Sequence, residues 1–244
     1  GIALATALSR GTTLPLSLPT LVNLNAGWGW MGWGAILLAA ASWVVVPMFQ
    51  ITPGYPELLT RIWAPTVVAL LVLWSISAGL SLDSATLATA AALCVLAAAF
   101  AITTLRLQAR SRRSTPDESF LAFRVAMVSG IAGVLAILVS LVADAGAWPL
   151  LAGILILHGG FVGAISAMLY KIVPFLAWLH LTQAGIKAPN MKKLSPSRPV
   201  RRQLHVHALA LAALTLAAFV PPASPLAGAA VTVDTCPNVY GNLN

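Results

Sequence analysis

The chain has 244 residues, of which 59% are hydrophobic and only 8% charged, and its net charge is +8. A water-soluble domain carries about 25% charged residues, so this chain lacks the polar surface that water requires. Its basic residues lie between apolar runs rather than beside exposed aromatic residues, which excludes a nucleic-acid-binding face.

In lipid the backbone must satisfy its own hydrogen bonds, so a spanning chain forms helices or a closed barrel. Barrel strands alternate in polarity. Here the apolar runs are long, continuous and rich in Ala and Leu. The expected fold class is all-α, a polytopic transmembrane helix bundle with about six spanning helices.

A span needs about 20 apolar residues. In chain order, residues 1–25 form an N-terminal segment, read as the end of a helix beginning upstream of Gly1 followed by a loop. The bundle occupies 26–220, with spans at about 26–49, 62–82, 85–105, 120–143, 148–170 and 204–220. The fifth is expected to continue as an amphipathic extension to about residue 181. Between them lie Pro53-Gly54-Tyr55-Pro56, a tight turn at 81–84, the polar stretch 111–118, a short turn at 144–149 and a long polar loop at 187–203. Asp117 and Glu118 are placed to begin the fourth helix. Pro221-Pro222 ends the sixth, leaving a tail at 221–244.

Arg106, Arg110, Arg112 and Arg113 fall between spans three and four. Lys187, Lys192, Lys193, Arg198, Arg201 and Arg202 fall between spans five and six. Two spans separate these loops, so both lie on one side, and Arg61 falls there too. The excess of Lys and Arg marks that side as cytoplasmic. The C-terminal tail then lies on the opposite, non-cytoplasmic side. Trp28, Trp30, Trp33 and Trp148 mark headgroup depth.

Ionisable groups within spans are costly, so each is a functional candidate. Arg124 and Lys171 lie near span ends, where long side chains reach the interface. His158 lies near mid-span beside Gly159-Gly160, where a histidine serves helix packing or a metal. His180 lies near the cytoplasmic interface. His205 and His207 start the sixth span on opposite helix faces, because residues two apart differ by about 200° in direction. Asn25 and Asp144 mark the non-cytoplasmic edge.

No spacing suggests catalysis: H-E-x-x-H, G-x-S-x-G and the P-loop are all missing. The acidic residues lie at or beyond span ends, which counts against a proton-driven carrier. Cys94 lies in an apolar run and Cys236 in the polar tail, so a disulfide between them is not expected.

Two stretches carry a resemblance. One is residues 21–56, LVNLNAGWGWMGWGAILLAAASWVVVPMFQITPGYP. The other is AMLYKIVPFLAWLHL at 167–181, followed by APNMKKLSP. Both resemble a largely uncharacterised family of proteobacterial inner-membrane proteins that is distantly similar to NnrS-type haem/copper proteins and to subunit I of haem–copper oxidases. The resemblance implies haem or copper as cofactor, with His158, His180, His205 and His207 as candidate ligands. In that family a histidine precedes the Gly-Trp stretch. Asn25 stands there in this chain and does not replace imidazole as a haem ligand. The motifs at Pro47, Gln50, Lys171 and Pro174 match well and have a structural reading as helix ends and kinks. His180 matches the family's Trp-x-His-Leu element.

Three functions compete. The chain could be an accessory, non-catalytic subunit of a membrane complex related to respiration or redox chemistry, its partners being the bilayer and other membrane subunits. The scarcity of ionisable groups and the small-residue runs at 129–133 and 153–163 favour that reading. A haem- or copper-binding membrane protein is the second, and a carrier or channel the third.

Overall fold

The computed structural model describes residues 16–143, 146–186 and 197–219, together with Ile2, Ala5, Thr6 and Ser9. Six of its helices are long and apolar enough to cross a membrane: α1 (Leu18–Gln50), α2 (Glu57–Gly79), α3 (Asp83–Ala109), α4 (Glu118–Val142), α5 (Trp148–Gln183) and α6 (Ser197–Phe219). The described residues contain no strand. The protein is an all-α membrane protein.

Several helix ends differ from the sequence expectation. α1 begins at Leu18, where the Ser17 hydroxyl accepts from the Thr20 N–H at 3.3 Å and Pro19 occupies the first turn. Asn25 is therefore two turns inside the helix rather than at its start. α5 runs unbroken to Gln183. α6 begins at Ser197, so 197–203 is helix, not loop. Its first turns hold Arg198, Arg201 and Arg202, whose charge hides helical residues from an apolar window. The N-terminal residues other than those named, Asp144, residues 187–196 and the tail at 221–244 lie outside the described residues.

The two longest helices share an irregularity. α1 has 33 residues and α5 has 36. Each contains a π-helical stretch, Trp28–Ala35 in α1 and Ile154–Val162 in α5. π turns bond residue i to i+5 and concentrate at functional positions. Both stretches are rich in glycine, which lets a wider helix approach its neighbours.

The chain divides into two compact units. The first comprises Gly1–Val44 and Gly54–Phe100. Its interior is aromatic. Trp63 is fully enclosed, donates Nε1–H to the Leu96 carbonyl at 3.0 Å and packs on Phe100. Trp28 donates to Ser75 Oγ at 3.0 Å, and Ser75 donates back to the Leu71 carbonyl. Trp28 is thus tied to α2, whereas Trp33, midway along α1, remains 72% exposed. The backbone of Gly27 sits so close to the Trp74 ring that no side chain fits between them.

The second unit comprises Val45–Pro53 and Ala101–Asn244. Its interior is built from small residues. Ala126, Ala164, Ala167 and Ala210 are buried, with Ser129 on α4 against Gly159 on α5 and Gly133 against Leu155 and Ile156. Lipid gives helices no hydrophobic drive to associate, so close backbone approach and dispersion hold them together. The small-residue runs at 129–133 and 153–163 are the surfaces in contact.

Two glycines three residues apart on α4 separate packing from propensity. A Cβ on Gly133 would lie 2.5 Å from Ile156 Cγ1 and 3.2 Å from the Ile156 backbone nitrogen. A Cβ on Gly130 would meet nothing within 4 Å. Gly133→Ala is expected to destabilise by about 1–3 kcal/mol through overpacking. Gly130→Ala should be neutral or slightly stabilising. Melting midpoints in one detergent check the pair; equal midpoints would contradict the packing of α4 on α5.

Candidate functional site

Two polar clusters lie inside the second unit. The first surrounds Asp117. Its Oδ1 caps α4 by accepting from the Phe120 N–H at 3.0 Å. Its Oδ2 receives both Arg113 Nη1, at 3.0 Å, and the ammonium of Lys171 on α5. All three side chains are largely enclosed, at 22–27% exposure, so this carboxylate is poorly screened and does more than a surface ion pair.

The same residues bind the end of α1. Arg113 Nη1 also donates to the Phe49 carbonyl at 3.2 Å. Ser111 Oγ donates to the Gln50 carbonyl at 2.6 Å, and the Arg112 N–H donates to the Ile51 carbonyl at 3.1 Å. Gln108 Nε2 donates to Gln50 Oε1 at 2.8 Å, both amides being buried. These carbonyls are available because a helix end leaves its last C=O groups without intrahelical partners. The chain then leaves the helix through Ile51, held at φ 53°, a left-handed conformation that a β-branched residue adopts only under constraint.

Nearby, Glu118 Oε1 accepts from Arg201 Nη2 at 2.9 Å and Nε at 3.3 Å, bringing α6 to α4. Ser119 Oγ donates to the Ala167 carbonyl of α5 at 2.7 Å. Phe49 and Phe175 meet edge to face, with ring centroids 5.7 Å apart.

The second cluster is deeper. The imidazoles of His158, in the π stretch of α5, and His207, on α6, stack with centroids 4.6 Å apart and planes 28° from parallel. His207 is 7% exposed. The Gly163 N–H donates to the His158 carbonyl, so one π turn aligns His158 with Gly163. A Cβ on Gly163 would come 3.3 Å from His207 Nε2. Only glycine leaves that ring such clearance.

Of the residues that the sequence marks, His158 and His207 are brought together. His180 and His205 are exposed and outside the cluster. His205 and His207 do take opposite faces, one exposed and one buried. Asn25 is exposed on α1 in the first unit. Gln50 is held by Ser111 and Gln108, while Lys171 pairs with Asp117, which also binds Arg113 on the neighbouring Phe49 carbonyl. Pro47 and Pro174 lie inside α1 and α5. Sequence reasoning missed Gln108, Ser111 and the second role of Asp117. The available signal was a lone acidic pair amid many arginines, which reads equally as a helix start.

Of the four histidines, His158 and His207 approach one another. Among the described residues no three His, Cys, Asp or Glu side chains gather.

No protein-family model, curated protein or solved structure matches this chain.

Asp117→Ala removes a helix cap and strands two enclosed cations, so it is expected to cost about 2–4 kcal/mol. Asp117→Asn keeps a cap but loses the charge and should fall between wild type and Ala. Thermal unfolding in detergent gives the order; identical midpoints for all three would remove the ion cluster from any structural role.

Proposed function

We propose that this membrane protein is an accessory, non-catalytic subunit of a larger inner-membrane complex related to respiration or redox chemistry. The observation that carries the reading is uneven burial. The most apolar stretches of α4 and α5 are 33% and 39% buried, against 17% for α1, 22% for α2 and α3, and 11% for α6. α4 and α5 are thus the most enclosed helices, and the other four present a larger share of their residues outward. Wide lipid- or protein-facing surfaces suit a subunit whose remaining contacts come from another membrane chain. On α1 the exposed residues include Trp33, Leu37 and Val44.

The polar groups support the same reading. The enclosed charges Asp117, Arg113 and Lys171 are spent on one another and on helix ends, an arrangement that fixes a scaffold. The basic residues around the ion cluster, Arg110, Arg112, Arg198, Arg201 and Arg202, favour a cytoplasmic position for that end.

The test is the state of the protein extracted in mild detergent. It is expected to migrate well above its own 25.3 kDa plus detergent, and photo-crosslinkers at Trp33 and Leu37 should each capture one discrete second polypeptide. A monomer that crosslinks only to lipid would overturn the proposal. Single cysteines at Arg112 and Arg202 should label from the same face, and that face should be cytoplasmic.

A further inference from the structure

α4 carries one cation on the surface that it turns away from the bundle. Leu121, Arg124, Val125, Val128 and Leu135 recur at three-, four- and seven-residue steps, which places them on one helix face. All five are exposed. Phe123, Ala126, Met127 and Val134 lie on the other side of the helix and are buried. In a span, the outward face meets acyl chains. Among the described residues, no carboxylate pairs with Arg124. It stands six residues after Glu118, where α4 begins, so its Cα lies about 9 Å along the helix. Helical side chains lean towards the N-terminus of their helix, so the guanidinium reaches back to that end.

That end is strongly basic, and the fold makes it so. The described residues of the second unit include nine Lys and Arg but only two carboxylates, Asp117 and Glu118. Both carboxylates are already paired, Asp117 with Arg113 and Lys171, and Glu118 with Arg201. The last pair brings the first turns of α6, with Arg198 and Arg202, to the start of α4. The segment leading into α4 adds Arg106, Arg110 and Arg112. These five arginines are exposed, as Arg124 is. Each Lys or Arg close to a membrane surface raises affinity for anionic lipid about fivefold.

We infer that the outward face of α4 and the basic end beside it form a binding site for an anionic phospholipid. Its phosphate pairs with Arg124, and its acyl chains lie along Leu121, Val125 and Val128. An amphiphile matches both halves of this surface. An inorganic phosphate matches only the cations, and an acidic peptide leaves the apolar residues around Arg124 without a partner. The other exposed arginines add long-range attraction. The subunit reading does not depend on this site, and the site stands if the protein proves monomeric.

The test is native mass spectrometry of the whole chain, stripped of lipid in mild detergent. It is titrated with dioleoyl phosphatidylglycerol or with the phosphatidylcholine of the same acyl chains. The first anionic lipid is expected to bind at least about fivefold more tightly than the zwitterionic one. Arg124→Gln removes one charge at an exposed position and should lower the affinity for phosphatidylglycerol about fivefold, with phosphatidylcholine unaffected. Arg124→Lys keeps the charge and should retain most of the affinity. Arg61→Gln removes an exposed charge from the first unit and should change neither lipid. Equal affinity for the two lipids, or undiminished phosphatidylglycerol binding by Arg124→Gln, would overturn the site.

A second measurement needs no substitution. Glycerol phosphate, which is the charged headgroup without tails, should leave the bound lipid in place at equal concentration. Displacement would assign the arginines to a soluble phosphate and end the inference. So would capture of an acidic polypeptide instead of phospholipid by a photo-crosslinker at Val125 in native membranes.

Discussion

Hydrocarbon offers no hydrogen-bond partner, and that constraint orders everything else in this protein. It forces the backbone into long helices, because only a helix bonds all of its own N–H and C=O groups within one segment. It also acts on side chains. Serine and threonine hydroxyls along the spans return to the carbonyl one turn back, as Ser42 does to Leu38 at 2.6 Å and Thr66 to Ile62 at 2.7 Å. Trp63 and Trp28 spend their indole N–H groups on a neighbouring helix. Most polar groups in such a medium are paired inside the protein, although the buried Trp43 Nε1 and Gln108 Oε1 have no hydrogen-bond partner among the described residues.

Asp117 is the case in which the paired group is charged. One carboxylate terminates α4, binds Lys171 from α5, and holds Arg113, which closes the end of α1. The arrangement concentrates helix ends, their free carbonyls and an enclosed ion cluster at one location. The interior beyond it can then consist of Ala, Gly and Ser, whose packing requires close approach and no polar bonding. The two regions are complementary. The charged end fixes which helices meet, and the glycines determine how near they come.

The π stretches extend this economy. In α5 the wider turn brings His158 into line with Gly163 and hence onto His207. In a regular α-helix these residues, five apart, would diverge. The stack therefore depends on local backbone irregularity as well as on residue type. Functional positions in membrane proteins commonly sit at such departures from regular helix.

The number of spans, their helical character and the small-residue contact faces were legible in the sequence. Each depends only on local composition measured against the thickness of a bilayer. Even the opposed faces of His205 and His207 follow from helical geometry. The pairing of His158 with His207 was not legible, since the two lie far apart in the chain and a π turn carries no reliable sequence signature. Nor could composition reveal that Arg113 and Asp117 join Lys171 to the Phe49 carbonyl at the end of α1. Helix ends defined by charge, as at Ser197, escaped an apolar window for the same reason. Sequence by itself determined that the chain lives in lipid as helices, because the transfer of apolar groups is additive and local. Only the tertiary structure decided which polar groups meet. Partner choice inside a bundle depends on helix rotation and approach, and those are set by contacts between residues distant in the chain.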